Sequence, residues 1–279
     1  MNGARQQRNV VPGFGLTMGL TLTWLSIIVL LPLAALFLKA AELSLDEFLA
    51  VILSRRTLNA LKISFGLALA AAAVNFFMGM IVVWALVRYR FPFRRVFDAI
   101  VDLPFALPTA VAGVALTALF SQKGWLGAPL AEFGIKVAFT PLGIFIAMIF
   151  IGIPFVVRTV EPVLADLEAE IEEAAVSLGA TRWHVITRVI VPSLTPAMLT
   201  GFALAFARAV GEYGSVIFIA GNLPNVSEIA PLLIVIRLSE FRYADATAIA
   251  VVMLLVSFVI LFIINRIQRW SLERSIARG

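Results

Sequence analysis

The chain has 279 residues, of which 61% are hydrophobic and 14% are charged, and it carries a formal net charge of +5. Soluble globular domains are about 45–50% apolar and about 25% charged, so this composition excludes a water-soluble domain and predicts an integral membrane protein. The chain has no cysteine, which excludes disulfides, thiolate metal sites and a cysteine nucleophile.

Six charge-poor segments follow one another along the chain, and each is long enough to cross about 30 Å of hydrocarbon as a helix. They are expected at residues 14–38, 63–87, 103–122, 137–157, 196–220 and 246–265. A membrane β-barrel would instead show segments of about 10 residues with alternating polarity. The first segment is also longer than the apolar part of a signal peptide, about 7–15 residues. We therefore predict an all-α integral membrane protein with a single transmembrane domain over 1–279 and an uncleaved first span.

Lysine and arginine concentrate on one side of the predicted membrane, as the positive-inside rule expects of cytoplasmic loops. If both termini are cytoplasmic, the inner segments hold 13 of the 22 basic residues, the outer segments hold 8, and Arg208 lies within a span. Tight clusters at 88–95 and 266–278 strengthen this asymmetry. We predict that both termini are cytoplasmic. The positive net charge also fits an anionic substrate, but the loop rule explains it without one.

Two outer segments combine polar residues with short apolar runs. Residues 42–56 have the mixed charge and apolar spacing of an interfacial amphipathic helix. Residues 229–236 form an apolar run that is too short to span the bilayer, so a re-entrant or surface element is expected there.

The inner loop over 158–192 is predicted to contain a helical hairpin. Residues 163–178 are rich in Leu, Ala and Glu and lack Pro and Gly, which favours a helix. Gly179 fits the position at which a left-handed residue ends a helix. A second helical segment over 181–190 leads to Pro192. The pattern alone leaves two interpretations open, a solvated amphipathic loop or a surface gripped by a soluble partner.

Within this loop, Glu-Ala-Ala at 173–175, Gly179 and Val-Ile-Val-Pro at 189–192 resemble the EAA motif of type I ABC importer permeases. Val189 and Val191 replace the Ile and Leu of the family pattern and keep its apolar character. In that family the motif forms a coupling helix that sits in a cleft of the ATPase subunit. The residues to which the resemblance gives an ATPase-coupling role are Glu172, Glu173, Ala174, Ala175, Gly179, Ala180 and Pro192.

Four further segments, at 102–113, 153–160, 211–222 and 237–241, resemble the sulfate/thiosulfate permeases, and their T subunits more than the W subunits or the molybdate permease. The resemblance implies a six-helix type I permease that forms a translocation pathway with a W-type permease subunit. It also implies two copies of an ABC ATPase and a periplasmic sulfate-binding protein as partners, and a multi-pass location in the bacterial inner membrane. Binding proteins choose the ligand in such systems, so molybdate or another oxyanion remains the alternative cargo.

The residues also bear on catalysis. No G-x-x-x-x-G-K-[ST] phosphate loop is present, so ATP and Mg are expected on a partner subunit and this chain is expected to be non-catalytic, with no cofactor or metal of its own and no nucleic-acid partner. The only histidine, His184, lies in the inner loop, which excludes an intramembrane Ser–His dyad. A secondary transporter would be expected to carry ion-coupling acids within its spans, and Glu212 is the only acid well inside one.

Arg208 and Glu212 are the main candidates for the pathway. They are four residues apart, so one helix face carries both. Arg208 lies about 18 Å along the fifth span from Pro196, near the bilayer centre, where an arginine costs about 2.5–3.5 kcal/mol on insertion scales. Pairing with Glu212 is therefore predicted, either as a structural ion pair or at a permease interface that gates the route. Three further pathway candidates are Ser215, Pro104 and Pro108, although the prolines equally suit simple helix kinks.

Overall fold

The computed structural model of the protein describes residues 13–167 and 169–276, and the regular secondary structure of this part of the chain is helical throughout. In chain order the helices are α1 (Phe14–Ala40), α2 (Leu45–Leu53), α3 (Arg55–Arg88), α4 (Arg94–Ala106), α5 (Thr109–Phe120), α6 (Gly127–Glu132), α7 (Pro141–Ala165), α8 (Ala169–Ser177), α9 (Arg182–Val210), α10 (Val216–Ile219), α11 (Ala230–Ser239) and α12 (Tyr243–Ile276). The predicted cytoplasmic termini, including Arg5, Arg8 and Arg278, lie outside the described residues.

Five helices, α1, α3, α7, α9 and α12, are long and apolar enough to cross a membrane, and the bent pair α4–α5 makes a sixth when it is counted as one crossing. The all-α membrane fold predicted from composition is confirmed. The long helices extend beyond the predicted spans, because α3 and α12 each have 34 residues and so continue past the hydrocarbon layer.

The segment predicted as one span over 103–122 is built differently. Helix α4 ends at Ala106, α5 begins at Thr109, and the axis turns by 117° between them. Leu107 is extended, with φ −84° and ψ 134°. The following Pro108 disfavours helical angles at Leu107 and has no N–H to donate, so the helix cannot continue through this point. Hydropathy cannot detect such a turn, because the residues on both sides of it are apolar.

The fifth predicted span, 196–220, also differs from the observed helix. Helix α9 ends at Val210, and residues 211–215 form a loop before the single turn of α10. At its other end α9 begins at Arg182, so the second half of the predicted hairpin and the fifth span form one continuous helix.

Two π-helical stretches occur in the long helices, and a proline follows each by two residues. Ser26–Leu30 precedes Pro32 in α1, and Ile186–Ile190 precedes Pro192 in α9. A proline ring clashes with the carbonyl four residues earlier and offers that carbonyl no hydrogen. The wider π turn relieves the clash, which lets each helix pass its proline without breaking.

Helices α3, α7 and α9 pack against one another as the core. Small residues allow the close approach: a Cβ atom on Gly152 of α7 would lie 2.3 Å from Asn75 Nδ2 of α3. Asn75 is fully buried and donates a hydrogen bond to the carbonyl of Ile149 at 3.2 Å. Close packing of small residues with an occasional polar bond is typical of helices that associate in lipid, where no hydrophobic effect drives them together.

The side of the molecule opposite the hairpin is closed by short elements. The predicted amphipathic segment forms α2, whose N-terminus carries a capping box of Ser44 and Glu47. The apolar run at 229–236 forms most of α11. The loop before α11 is fastened to α3, because Arg56 donates to both carboxylate oxygens of the buried Glu228, at 2.8 and 2.6 Å.

Candidate functional site

The hairpin is formed by α8 and the first turns of α9, and Gly179 makes its turn. The Gly179 N–H donates to the carbonyl of Val176 at 2.9 Å, and the Ala180 N–H donates to that of Ala175 at 3.0 Å. These two bonds, with φ +84° at Gly179, define a Schellman motif. The predicted helix-ending role of Gly179 is therefore confirmed. Thr181 then caps α9 by accepting from the backbone N–H of His184 at 3.4 Å.

The two adjacent acids of the hairpin have different surroundings. Glu172 forms an ion pair with Arg88 at the end of α3, and the Arg88 guanidinium lies 5.8 Å from the ring centre of Trp84. Glu173 is exposed, and its carboxylate has no hydrogen bond or ion pair within the described part of the chain, although its backbone carbonyl accepts from the Ser177 hydroxyl. Glu172 thus anchors the hairpin to the core, and Glu173 presents a free carboxylate to the outside.

The remaining predicted coupling residues lie along the same hairpin. Ala174 is exposed, Ala175 and Ala180 are half-buried against the core, and Pro192 follows the π turn of α9. The surface between them is apolar, because Leu178 is 90% exposed and Trp183 is 71% exposed. Next to it is a cavity of about 710 Å³, lined by residues of α3, the hairpin and α9 that include Trp84, Glu173 and Arg182. An exposed leucine and tryptophan beside a free acid form a surface suited to a protein partner.

The second candidate region is the loop that follows α9. Glu212 is 2% exposed and lies just past the helix end at Val210. One of its carboxylate oxygens accepts from the Ser215 N–H at 2.8 Å and from the Ser215 hydroxyl at 2.9 Å. The other oxygen forms an ion pair with Arg208. The predicted pairing of Arg208 and Glu212 is therefore present, although Glu212 belongs to the loop rather than to the same helix.

Arg208 is only partly enclosed by this pair, and 35% of its side chain is exposed. Its depth follows from the packing of α9 on α7. A Cβ atom on Gly152, next to the middle of α7, would lie 3.5 Å from the Cβ of Ala205. Arg208 is three residues further along α9, so it lies about 4.5 Å from the middle of the core. A charge at that level needs a polar environment on its open side.

The loop carrying Glu212 and Ser215 packs directly on the first turns of α5. A Cβ atom on Gly214 would lie 2.1 Å from Thr109 Oγ1, and one on Gly113 would lie 2.4 Å from the Ser215 carbonyl oxygen. The two interrupted helices therefore meet at their breaks. Of the predicted pathway residues, Arg208, Glu212 and Ser215 lie together.

The two proline candidates belong to the neighbouring break. Pro108 caps α5 beside this group, and Pro104 lies one turn back, inside α4.

One charged group was missed by the sequence reasoning. Arg158 of α7 donates to both oxygens of Asp102 at 2.7 Å and forms ion pairs with Asp98, at 2.8 Å, and Glu161, at 2.5 Å. We call these four residues the Arg158 cluster. The spacing of two acids four residues apart in α4 gives one helix face with two carboxylates, which was the available signal.

The sequence matches the model of a protein family described as "Binding-protein-dependent transport system inner membrane component" over residues 75–276. Among curated proteins, the "Sulfate transport system permease protein CysT" of Escherichia coli (strain K12) is 49% identical over 265 residues, which cover 95% of this chain and 96% of that protein. The protein of the same name from Synechocystis sp. is 51% identical over 251 residues, covering 90% of this chain and 88% of that protein.

The fold is similar to solved structures of ABC transporters. A chain of the bacterial alginate ABC transporter, solved with an alginate pentasaccharide-bound periplasmic protein, aligns with a TM-score of 0.77 at 20% identity and covers 95% of this chain and 98% of that chain. A chain of the MetNI methionine ABC transporter in an inward-facing conformation aligns with a TM-score of 0.58 at 16% identity, over 77% of this chain and 96% of that chain. At these identities the likeness concerns the fold alone.

Proposed function

The chain belongs to the family of binding-protein-dependent transport system inner membrane components and is an ABC importer permease, and from this premise we propose that its importer carries sulfate and thiosulfate. The observation that supports this cargo is the identity of 49–51% to proteins named as sulfate transport permeases, over nine-tenths of the chain or more. Molybdate or another oxyanion is the alternative cargo.

Arg208 is the residue that we assign to the anion pathway. A guanidinium has five N–H donors and stays charged at all physiological pH values. Only Nη1 contacts Glu212, which leaves the donors on the exposed side available to the oxygens of a tetrahedral anion. Glu212 is itself held by Ser215, so it fixes the orientation of Arg208 and offsets its charge. A nearly neutral pair with free donors can bind a divalent anion weakly enough to release it.

The open side of Arg208 faces a second permease subunit in this proposal, and the pathway lies between the two subunits. Lipid cannot solvate a guanidinium at this depth, whereas a subunit interface with water and polar groups can. We propose a W-type permease as that subunit, so the pair is a heterodimer. A periplasmic sulfate-binding protein delivers the anion to the side opposite the hairpin.

We propose that the hairpin is the docking surface for an ABC ATPase, two copies of which supply the ATP and Mg sites of the importer. Glu173 offers the free carboxylate of that surface, and Leu178 and Trp183 offer its apolar contacts. This arrangement requires the hairpin, and with it both termini, to face the cytoplasm.

Uptake of radiolabelled sulfate in bacteria that lack their own sulfate permease, and that express this chain with its partner subunits, tests the cargo. We expect uptake of sulfate that unlabelled thiosulfate suppresses and unlabelled molybdate leaves unchanged. If the importer takes up molybdate and does not take up sulfate, the cargo is molybdate and the proposal of sulfate is wrong. Uptake by this chain alone, without an ATPase, would show a secondary transporter instead.

A further inference from the structure

The segment between α5 and α7 lies on the side of the molecule opposite the hairpin, because α7 runs from Pro141 to Ala165 and the hairpin follows Ala165. A cavity of about 280 Å³ is present there, and we call it the outer cavity. Its lining residues belong to the end of α5, to α6 and to the link that precedes α7. Among the described residues, Lys123 and Lys136 are the charged ones that line it, and no acid does, so the charge of its lining is positive.

Neither of these lysines has a counter-ion in the part of the chain that the structure describes. Their ammonium groups form no hydrogen bond or ion pair there, whereas Lys39 is paired with Glu42 at 2.7 Å. Glu132 of α6 is not among the lining residues and pairs with neither lysine. Most of the other lining residues are apolar. A cleft with one sign of charge and apolar walls concentrates its counter-ion, which here is an anion.

One wall of the outer cavity offers backbone donors as well. Val137 and Ala138 line the cavity and are 2% and 3% exposed, and their backbone N–H groups donate no hydrogen bond within the described residues. Buried N–H groups without an acceptor are rare, because each costs about as much free energy as a lost hydrogen bond. An oxygen acceptor inside the cavity would satisfy them.

The same wall is bonded to the element that carries the pathway group. The Phe139 N–H donates to the carbonyl of Ile219 at 2.7 Å, and Ile219 is the last residue of α10. Helix α10 begins directly after Ser215, which holds Glu212. Four residues of helix separate Ser215 from Ile219, a rise of about 6 Å. The wall of the outer cavity is therefore about one helical turn from the loop that orients Arg208, on the side away from the hairpin.

We propose that the outer cavity is a second anion site, which holds one tetrahedral oxyanion at Lys123 and Lys136 before the anion reaches Arg208. The identity of this oxyanion as sulfate rests on the proposed function. Two unpaired ammonium groups match a divalent charge, and the free N–H groups match its oxygens. Chloride has one charge and no oxygens, so it uses this set of donors less well. The lining has no counterpart of Glu212, and the two lysines therefore carry the attraction alone.

The test uses the small number of lysines in the full chain, which are Lys39, Lys62, Lys123 and Lys136. Reductive methylation with ¹³C-formaldehyde labels each ε-amine and keeps its charge, so NMR can follow each lysine in a neutral detergent. We expect sulfate, added at constant ionic strength against chloride, to shift the signals of Lys123 and Lys136. Lys62 is exposed and without a partner in the described chain, and its signal should stay unchanged, as should that of Lys39.

Single variants measure the share of each lysine. Lys123→Gln should raise the sulfate Kd read from the Lys136 signal about tenfold, because one charge-assisted hydrogen bond is lost. Lys62→Gln is the matched control and should leave that Kd within about twofold. A signal of Lys62 that follows sulfate as closely as that of Lys123 would show general screening of charge and would overturn the proposal. Equal responses to sulfate and chloride would also overturn it. A response to phosphatidylglycerol without one to sulfate would assign the cavity to a lipid headgroup instead.

Uptake by the assembled importer tests the place of the outer cavity before Arg208. The double variant K123Q/K136Q should lower sulfate uptake about tenfold, the smallest gain that a cleft of one charge sign gives to the arrival of its counter-ion. Normal uptake by this variant would overturn the role in transport. Failure of the proposed cargo has a different signature: the wild-type importer would not take up sulfate, while Lys123 and Lys136 would still respond to the oxyanion that it does carry.

Discussion

Arg158 and Arg208 both lie in long helices of the same core, yet their surroundings satisfy them to different degrees. Arg158 contacts three carboxylates, and its Nε, Nη1 and Nη2 atoms all have partners. Among the residues that the structure describes, Arg208 contacts one carboxylate, through Nη1 alone. An arginine whose N–H donors are all bonded to carboxylates holds helices together. An arginine with fewer carboxylates around it has N–H donors left that a ligand can use. The number of acceptors therefore separates a structural charge from one that can serve transport.

Replacing Arg208 is the change expected to have the largest effect on transport. Arg208→Met should lower sulfate uptake about a hundredfold, which corresponds to two charge-assisted hydrogen bonds at about 1.5 kcal/mol each, and leave the amount of protein in the membrane normal. Arg266→Met, an exposed arginine in the last turns of α12 and outside both candidate sites, is the control and should keep most of the activity. Normal sulfate uptake by Arg208→Met would show that Arg208 does not take part in the anion pathway.

The charge swap Arg208→Glu with Glu212→Arg decides between a structural and a transport role for the pair. The swap keeps an ion pair but moves the positive charge into the loop beside Ser215. We expect assembly to be restored and uptake to remain low. If the swap restores both assembly and sulfate uptake, measured per unit of membrane protein, the pair is purely structural. Arg208 would then have the same structural role as Arg158.

Arg158→Met should act on stability rather than on transport. It leaves Asp98, Asp102 and Glu161 close together without a cation. Breaking a buried pair costs about 3–5 kcal/mol, and the exposure of these acids lowers our expectation to about 2 kcal/mol. The thermal midpoint should fall by about 4–8 °C, and Arg158→Lys should recover part of the loss. An unchanged midpoint would show that the Arg158 cluster does not hold α4 on α7.

Gly179→Val tests the effect of backbone strain in the hairpin without changing any charge. A Cβ atom at Gly179 meets no atom within 4 Å, so the cost arises only from the φ of +84° and amounts to about 1–3 kcal/mol. We expect the hairpin to distort and sulfate uptake to fall about tenfold, while ATP hydrolysis by the importer continues. Gly179→Asn, which tolerates left-handed angles, is the control. Normal uptake by Gly179→Val in reconstituted vesicles would argue against a coupling role for the hairpin.

Ser215→Ala should have the smallest effect. It removes the hydroxyl bond to Glu212 and keeps the backbone N–H bond, so the loss is about 1 kcal/mol. We expect uptake to fall about threefold to fivefold, with an unchanged thermal midpoint. Ser193→Ala, which removes a hydroxyl that bonds only to its own helix, is the control. Equal effects of the two variants would show that Ser215 does not orient the Arg208–Glu212 pair.

Much of the fold follows from sequence patterns, because a helix that crosses lipid must be long and apolar. Gly179 was placed at its turn by the preference for glycine at the left-handed residue that ends a helix. The turn at Leu107–Pro108 escaped prediction because hydropathy records composition and not direction. Glu212 was assigned to a helix because the apolar residues at 216–220 continue the hydropathy of the span, whereas α9 ends at Val210. The contacts of Arg158 with α4 join residues 56 and 60 positions apart, and such pairings depend on helix packing that spacing alone does not specify.

Helix α3 is tied at both of its ends, and the two ties together have a mechanical consequence. Arg88 holds the hairpin through Glu172 at one end, and Arg56 holds the loop before α11 through Glu228 at the other. The 34 residues between these ends form one unbroken helix about 51 Å long, which behaves as a stiff strut. We therefore expect a displacement of the hairpin to move the loop before α11, on the far side of the membrane, in the same direction.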